Sequence, residues 1–214
     1  TRRECMNENV FRRNERLAAT VIKNLENRNM TGYYAANKEE AVKTALELIP
    51  EGTTVTMGGG TSIEEIGLKE VLKKGKYDFI DRDAYDDKRA AALKAYDADV
   101  FLAGANALSQ NGVLVNIDGN SNRVSAIAFG PRKVIFIVGM NKVCADVNAA
   151  LKRARNTAAP MNAQRFDIDT PCRKTGACFD CLCPDTICCQ FLITRYSKHR
   201  GRIHVILVNE DLGF

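Results

Sequence analysis

No stretch of this sequence stays apolar for long. Runs such as Val134–Val138 and Val205–Val208 fall far short of the ~20 residues that a bilayer-crossing helix needs, so no membrane span is expected. The opening segment carries Arg2, Arg3, Arg12, Arg13 and Arg16 among acids and amides and lacks the apolar core of a secretory signal, which makes a cytoplasmic protein the expectation. Basic runs interleaved with aromatics are missing too. The net charge of +5 comes from dispersed residues with small clusters at Lys152–Arg155 and Arg195–Arg202, which suits solvated helix faces rather than a nucleic-acid platform. Histidine is scarce: the two imidazoles are His199 and His204. The apolar run around His204 marks it as a strand residue, and a Cys–His hydrolase has no support. Internal repeats and low-complexity linkers are absent, so the simplest partition is one domain over 1–214.

What is present is enough to build a core, with 45% hydrophobic and 27% charged residues, the balance of an ordinary globular chain. Phe11, Ala18, Ile22 and Leu25 recur at helical spacing within 7–28, with Gly32 as the stop. Tyr33–Ala36 reads as a strand. Asn37 then caps a second helix, with Glu40 three residues on, and Pro50-Glu51-Gly52 ends it. The β-branched strand Thr53–Met57 runs into Gly58-Gly59-Gly60, after which Ser62 and Glu65 have the spacing of a capping box. Strand and helix alternate again through Tyr77–Asp81, Ala84–Tyr96 and Val100–Ala103. Gln110-Asn111-Gly112 turns into the strand Val113–Ile117, and Val134–Val138 precedes a helix marked by Val147, Ala150, Leu151 and Ala154. Phe191–Thr194 and Ile203–Val208 return the chain to the sheet. This alternation predicts an α/β fold with a mainly parallel sheet and helices on both faces. Within it, 1–50 forms N-terminal helices, 51–165 the α/β core, 166–190 a Cys-rich irregular excursion and 191–214 the C-terminal strands.

Two segments have the chemistry of a ligand site. Gly58, Gly59, Gly60, Thr61 and Ser62 lie between a strand and a helix N-terminus, where glycines let a ligand approach the backbone and unpaired amides attract an anion. The same glycines could instead serve a tight turn that needs positive φ. The segment is neither G-x-G-x-x-G nor a Walker sequence, so no nucleotide cofactor is indicated. Asn106, Asp118, Asn122 and Arg123 crowd a strand end and its loop, which is where open α/β sheets bind ligands. Arg123 has the fork to hold a carboxylate or phosphate, while Asn, Asp and Gly are also ordinary loop formers. No catalytic residue stands out.

Eight cysteines are unevenly placed: Cys5 and Cys144 stand alone, and Cys172, Cys178, Cys181, Cys183, Cys188 and Cys189 crowd together. Cys178-x2-Cys181 is a chelating pair, and Cys172 with Cys188 or Cys189 would complete a four-thiolate shell for zinc or an iron–sulfur cluster. Spacing alone cannot choose between these metals, or between a metal and free thiols.

Gly58-Gly59-Gly60-Thr61-Ser62-Ile63-Glu64-Glu65-Ile66-Gly67, Gly104-Ala105-Asn106-Ala107 and Val115-Asn116-Ile117-Asp118-Gly119 resemble the lactate-utilisation (LUD) domain family. So do Asn122-Arg123-Val124, Phe129-Gly130-Pro131, Val138-Gly139-Met140-Asn141-Lys142 and Thr170-Pro171-Cys172. The resemblance covers nearly the whole chain. It implies the fold of ribose-5-phosphate isomerase, glucosamine-6-phosphate deaminase and the CoA transferases, and a link to lactate oxidation by iron–sulfur oxidoreductase subunits. The function it implies is that of an accessory protein of lactate or related hydroxy-acid oxidation, binding a small anionic or polar ligand. The alternative is an enzyme acting on a phosphorylated or CoA-linked small metabolite. Two departures matter. Gly119-Asn120-Ser121-Asn122-Arg123 stands where family members often have Gly-Thr-Gly-Asn-Arg. Ser109-Gln110-Asn111-Gly112 puts an amide where class I CoA transferases carry the glutamate that forms their acyl-CoA anhydride, which counts against that mechanism.

Overall fold

The computed structural model describes residues 7–214, so Cys5 lies outside the described residues. Helix α1 (Glu8–Glu26) opens the chain, its start capped by the Asn7 side chain. Strand β1 (Thr31–Ala35) follows. The expected stop at Gly32 is therefore corrected: α1 ends earlier, and Gly32 is a strand residue on which a Cβ would come within 2.9 Å of Ile22 Cγ1. Helix α2 (Lys38–Leu48) is capped by Asn37, whose Oδ1 accepts from Glu40 N at 2.9 Å. Glu40 in turn accepts from Ala36 N at 2.8 Å, so side chain and backbone satisfy each other at this helix start.

Strand β2 (Thr54–Met57), helices α3 (Thr61–Glu65) and α4 (Leu68–Lys74) and strand β3 (Asp78–Ile80) come next. The helix expected over Ala84–Tyr96 is shorter, α5 (Lys88–Lys94), because the Asp87 side chain caps Arg89 N and Ala90 N and starts it late. Strands β4 (Val100–Gly104), β5 (Ala107–Ser109) and β6 (Leu114–Asp118), helix α6 (Asn122–Ala128) and strand β7 (Lys133–Gly139) follow. Strand β8 (Val143–Cys144) leads to α7 (Val147–Arg153). A π turn at Ala154–Ala158 joins α7 to α8 (Ala159–Ala163), where Pro160 lacks the amide that would continue an ordinary helical ladder. Helix α9 (Pro171–Thr175), β9 (Gln190–Thr194) and β10 (Ile203–Val208) complete the chain.

Six strands form one parallel sheet in the order β1-β10-β7-β4-β2-β3. Its central strands are buried on both faces, and their alternation divides the core. Val134, Phe136 and Val138 of β7 pack with Ala18, Val21 and Leu25 of α1. Ile135 and Ile137 pack with Ala41 and Ala45 of α2 and with Leu68 and Leu72 of α4. Helices on both faces are what hydrophobic runs in parallel strands require.

Not every strand returns to that sheet. β5 and β6 form an antiparallel hairpin, and with β8 and β9 they make a second sheet ordered β8-β5-β6-β9. Phe191–Thr194 thus sits on β6 in the small sheet, and of the two C-terminal strands it is β10 that enters the main one. Leu108 and Leu114 face the α1 core cluster, while Ala107, Val115 and Ile117 face Ala150 and Ala154 beyond the small sheet. Among the described residues no helix is long and apolar enough to cross a membrane.

Candidate functional site

Parallel strands deliver their C-terminal ends to one edge of the sheet. Here the ends of β7, β4, β2 and β3, neighbours in that order, meet around a cleft of about 390 Å³. Gly59, Gly60, Thr61 and Ser62 follow β2, Arg82 follows β3, Asn106 follows β4 and Lys142 follows β7, and all of them line it. Asp118, Asn122 and Arg123 line it from the end of β6 and the start of α6. Eight of the nine expected ligand residues are therefore brought together; Gly58 is the exception.

Gly58 stands behind the lining. A Cβ there would lie 3.0 Å from Arg123 Cγ, so the position is kept bare for the arginine stem. None of Gly58, Gly59 and Gly60 has positive φ, which removes the tight-turn explanation for the triplet. The capping box also gives way. Gly60 is the N-cap of α3, two residues earlier than the box needs, and Ser62 and Glu65 are engaged elsewhere. Ser62 Oγ is 3.0 Å from Lys142 Nζ, and Glu65 Oε2 accepts from Gly213 N at 2.7 Å.

Asp118 and Arg123 are partners of each other. Asp118 Oδ1 accepts from Arg123 Nε at 2.9 Å, and Oδ2 accepts from Arg123 N at 3.0 Å and Val124 N at 2.8 Å. That carboxylate does the capping of α6 that Ser121, in a left-handed conformation with φ 62°, does not. Ser121 is where the family pattern has glycine, so the loop keeps its left-handed turn on a residue that resists it. Arg123 Nη1 donates to Gly104 O at 2.9 Å, and Nη2 donates to Asn106 Oδ1 at 2.9 Å and Ile117 O at 2.8 Å. The fork expected to hold a ligand is largely occupied by the protein. Arg123 is a brace that ties β4 to β6.

Lys142 is the group that sequence reasoning missed. It is 3% exposed and has no carboxylate within ion-pair range among the described residues. Burial, and then the positive charges of Arg153 and Arg123, pull its amine down to about 7, opposed by Glu65. Arg153, itself lowered by burial, braces the site from α7 by donating to Asn106 O and to Asn141 O at 3.1 Å. The chain end covers the amine: Leu212 N donates to Asn141 Oδ1 at 3.2 Å, and a Cβ on Gly213 would lie 2.7 Å from Ser62 Oγ and 3.1 Å from Lys142 Nζ. The available signal was the lysine three positions beyond the end of β7, inside the quoted Val138–Lys142 motif.

Two further cations reach the opening. Arg82 contributes one wall, and Arg165 Nη1 donates to Thr61 Oγ1 at 3.4 Å while its guanidinium lies 5.9 Å from the Phe214 ring. Ile168 and Ile187, from the two ends of the Cys-rich segment, close another side. This segment is fastened to the cleft by Cys189 N donating to Asp118 O at 2.9 Å.

The thiols of that segment gather. Burial and then the neighbouring thiols Cys178, Cys172, Cys181 and Cys189 push the Cys188 thiol up to about 11. Yet no group of three or more His, Cys, Asp or Glu among the described residues is arranged to hold a metal ion. The expected set Cys172, Cys178, Cys181 and Cys188 makes no such group among the described residues, and two of its thiols contact neighbouring hydroxyls. Cys172 Sγ lies 3.4 Å from Thr170 Oγ1, Cys181 Sγ donates to Thr186 Oγ1 at 4.0 Å, and Cys183 is in contact with Cys181.

A model of the LUD domain matches residues 18–208. The chain belongs to the LUD domain family. Membership gives it a general link to lactate utilisation. The structure of a DUF162 family protein from Deinococcus radiodurans matches this LUD domain with a TM-score of 0.52 and 14% identity, covering 91% of this chain and 98% of that one. It supports the fold. Partial matches are found to eIF2B beta from Chaetomium thermophilum, with 18% identity, a TM-score of 0.37 and 52% and 44% of the two chains covered. Ribose 5-phosphate isomerase from Plasmodium falciparum gives 20% identity, a TM-score of 0.33 and 50% and 52% covered. A search of curated proteins finds no match.

Proposed function

We propose that this LUD domain serves lactate or related hydroxy-acid oxidation as an accessory protein whose cleft takes a small carboxylate or phosphate anion. One observation carries the reading. The charged groups lining the cleft are Arg82, Arg123, Lys142 and Arg165 against Asp118 alone, and Asp118 is already paired with Arg123. The remaining charge is cationic in a partly enclosed space, where it is less screened than at an open surface. Iron–sulfur oxidoreductase subunits are the proposed partners. The exposed Phe179 and Leu182 of the Cys-rich segment offer such a subunit apolar contacts beside the cleft.

A second reading, an enzyme acting on a phosphorylated or CoA-linked small metabolite, draws on the amine of Lys142. CoA transfer through the Ser109–Gly112 turn is not supported: Gln110 is absent from the cleft lining, and its carbonyl accepts from Asn24 Nδ2 on α1.

Calorimetric titration with lactate, pyruvate and inorganic phosphate tests the first reading. At least one should bind, and Arg165→Ala should weaken it by about 1–2 kcal/mol, the range for a charge-assisted contact at an exposed side chain. No heat of binding from any of the three would overturn it.

A further inference from the structure

Lys142 is a buried amine that the fold does not need. A lysine taken from water without an ion-pair partner is destabilising, and an apolar side chain of similar length would fill the same space at no such cost. Here the side chain is 3% exposed, its nitrogen donates to Ser62 Oγ at 3.0 Å, and the chain end packs over it at Gly213. The cleft nevertheless reaches it.

We infer that Lys142 forms an imine with the carbonyl carbon of a 2-oxo acid, the oxidised counterpart of a 2-hydroxy acid, bound in this cleft; the inference rests on the anion-binding reading above. The two ends of such a ligand have separate places. Arg165 is held at Thr61 and Lys142 at Ser62, consecutive residues at the start of α3, and both line the cleft, so a cation for the carboxylate shares that space with the amine for the adjacent carbonyl. Arg82 flanks the same opening.

The step balances without any co-reactant. The neutral Nζ lone pair attacks the carbonyl carbon, the C–N bond forms, and the C=O π pair moves to oxygen. A proton passes from nitrogen to that oxygen, for which Ser62 Oγ, 3.0 Å from Nζ, is the relay. The hydroxyl of the carbinolamine takes up a second proton from solvent and leaves as water, and the nitrogen lone pair completes the C=N bond. Reaction requires the unprotonated amine. The charged groups acting on Lys142 from α7, α6 and α3 are Arg153, Arg123 and Glu65; the two cations favour the neutral form and Glu65 opposes it.

The test is reductive trapping on the full chain. Protein incubated with pyruvate is reduced with cyanoborohydride, digested and mapped by mass spectrometry, with pyruvate binding measured in parallel by calorimetry. The expected result is an adduct on Lys142 that forms at least ~10-fold faster than on exposed lysines at pH 7, as a neutral amine should. Its rate should level off above a midpoint of about 7, while exposed lysines keep accelerating. Lys142→Arg should abolish the adduct and leave the others. Comparing lysines within the unaltered chain keeps the test valid should the variant fail to fold. Pyruvate that binds but labels Lys142 no faster than exposed lysines overturns the imine and leaves the anion reading standing. Absence of pyruvate binding together with absence of labelling overturns the imine, and the lactate and phosphate titrations then decide the broader reading.

Discussion

Lys142 carries a cost that depends on pH in a direction that can be worked out. Its amine sits at about 7 in the folded chain against an ordinary value of ~10.4 for an unfolded lysine. Between those values the unfolded chain binds a proton that the native chain does not, so stability from this group rises with pH through that window and is lowest below it. Lys142→Met should accordingly stabilise the protein by about 1–3 kcal/mol near pH 6, as replacing an unpaired buried charge does. The advantage should shrink steadily as the pH rises through ~10.4, above which the amine is neutral in both states. Urea unfolding of both proteins across that range measures the difference. A constant gap would mean that the amine is already solvated and protonated in the native protein.

At the scale of the element, α6 and the Cys-rich segment depend on groups that read as ligand residues in the sequence. Asp118 caps α6 through two backbone amides and pairs with Arg123, so Asp118→Ala removes a cap and leaves a guanidinium at 13% exposure without its carboxylate. A loss of about 2–4 kcal/mol is expected from urea unfolding, with the small sheet losing hydrogen-exchange protection first because Arg123 ties β4 to β6. In the Cys-rich segment the thiols have no metal-holding arrangement, so they should behave individually. Cys188, half-buried and pushed up to about 11, should alkylate more slowly with iodoacetamide at pH 8 than exposed Cys189, because the thiolate is the reactive form. Peptide mapping under anaerobic reducing conditions reads the order. Equal protection of Cys172, Cys178, Cys181 and Cys188, together with bound zinc or iron, would show instead that the segment closes on a metal.

At the scale of the molecule, the cleft is made by parts that meet only through the whole fold. The chain end at Leu212–Phe214 covers an amine seventy positions earlier, and Glu65 holds it there. Removing 212–214 should admit water to Lys142 and return its amine toward the ordinary range, since desolvation is the leading cause of its shift. NMR titration of a 15N-labelled lysine side chain follows this directly, and an unchanged midpoint would mean that the cover lies elsewhere. The glycine turn and the convergence of Asn106, Asp118, Asn122 and Arg123 were legible from one sequence. Strand, loop and helix follow one another locally, and parallel strands must bring such loops to the same edge. The strand–helix alternation likewise determined the α/β class, because hydrophobic period is a local property. Only the tertiary structure decided that Arg123 braces the protein and that Ser62 meets Lys142 instead of capping a helix. It alone sent Phe191–Thr194 to a second sheet and made Lys142 the buried amine of the cleft. Each of these turns on which distant partner reaches a group first, and in water-poor surroundings that partner sets both its hydrogen bonds and its charge.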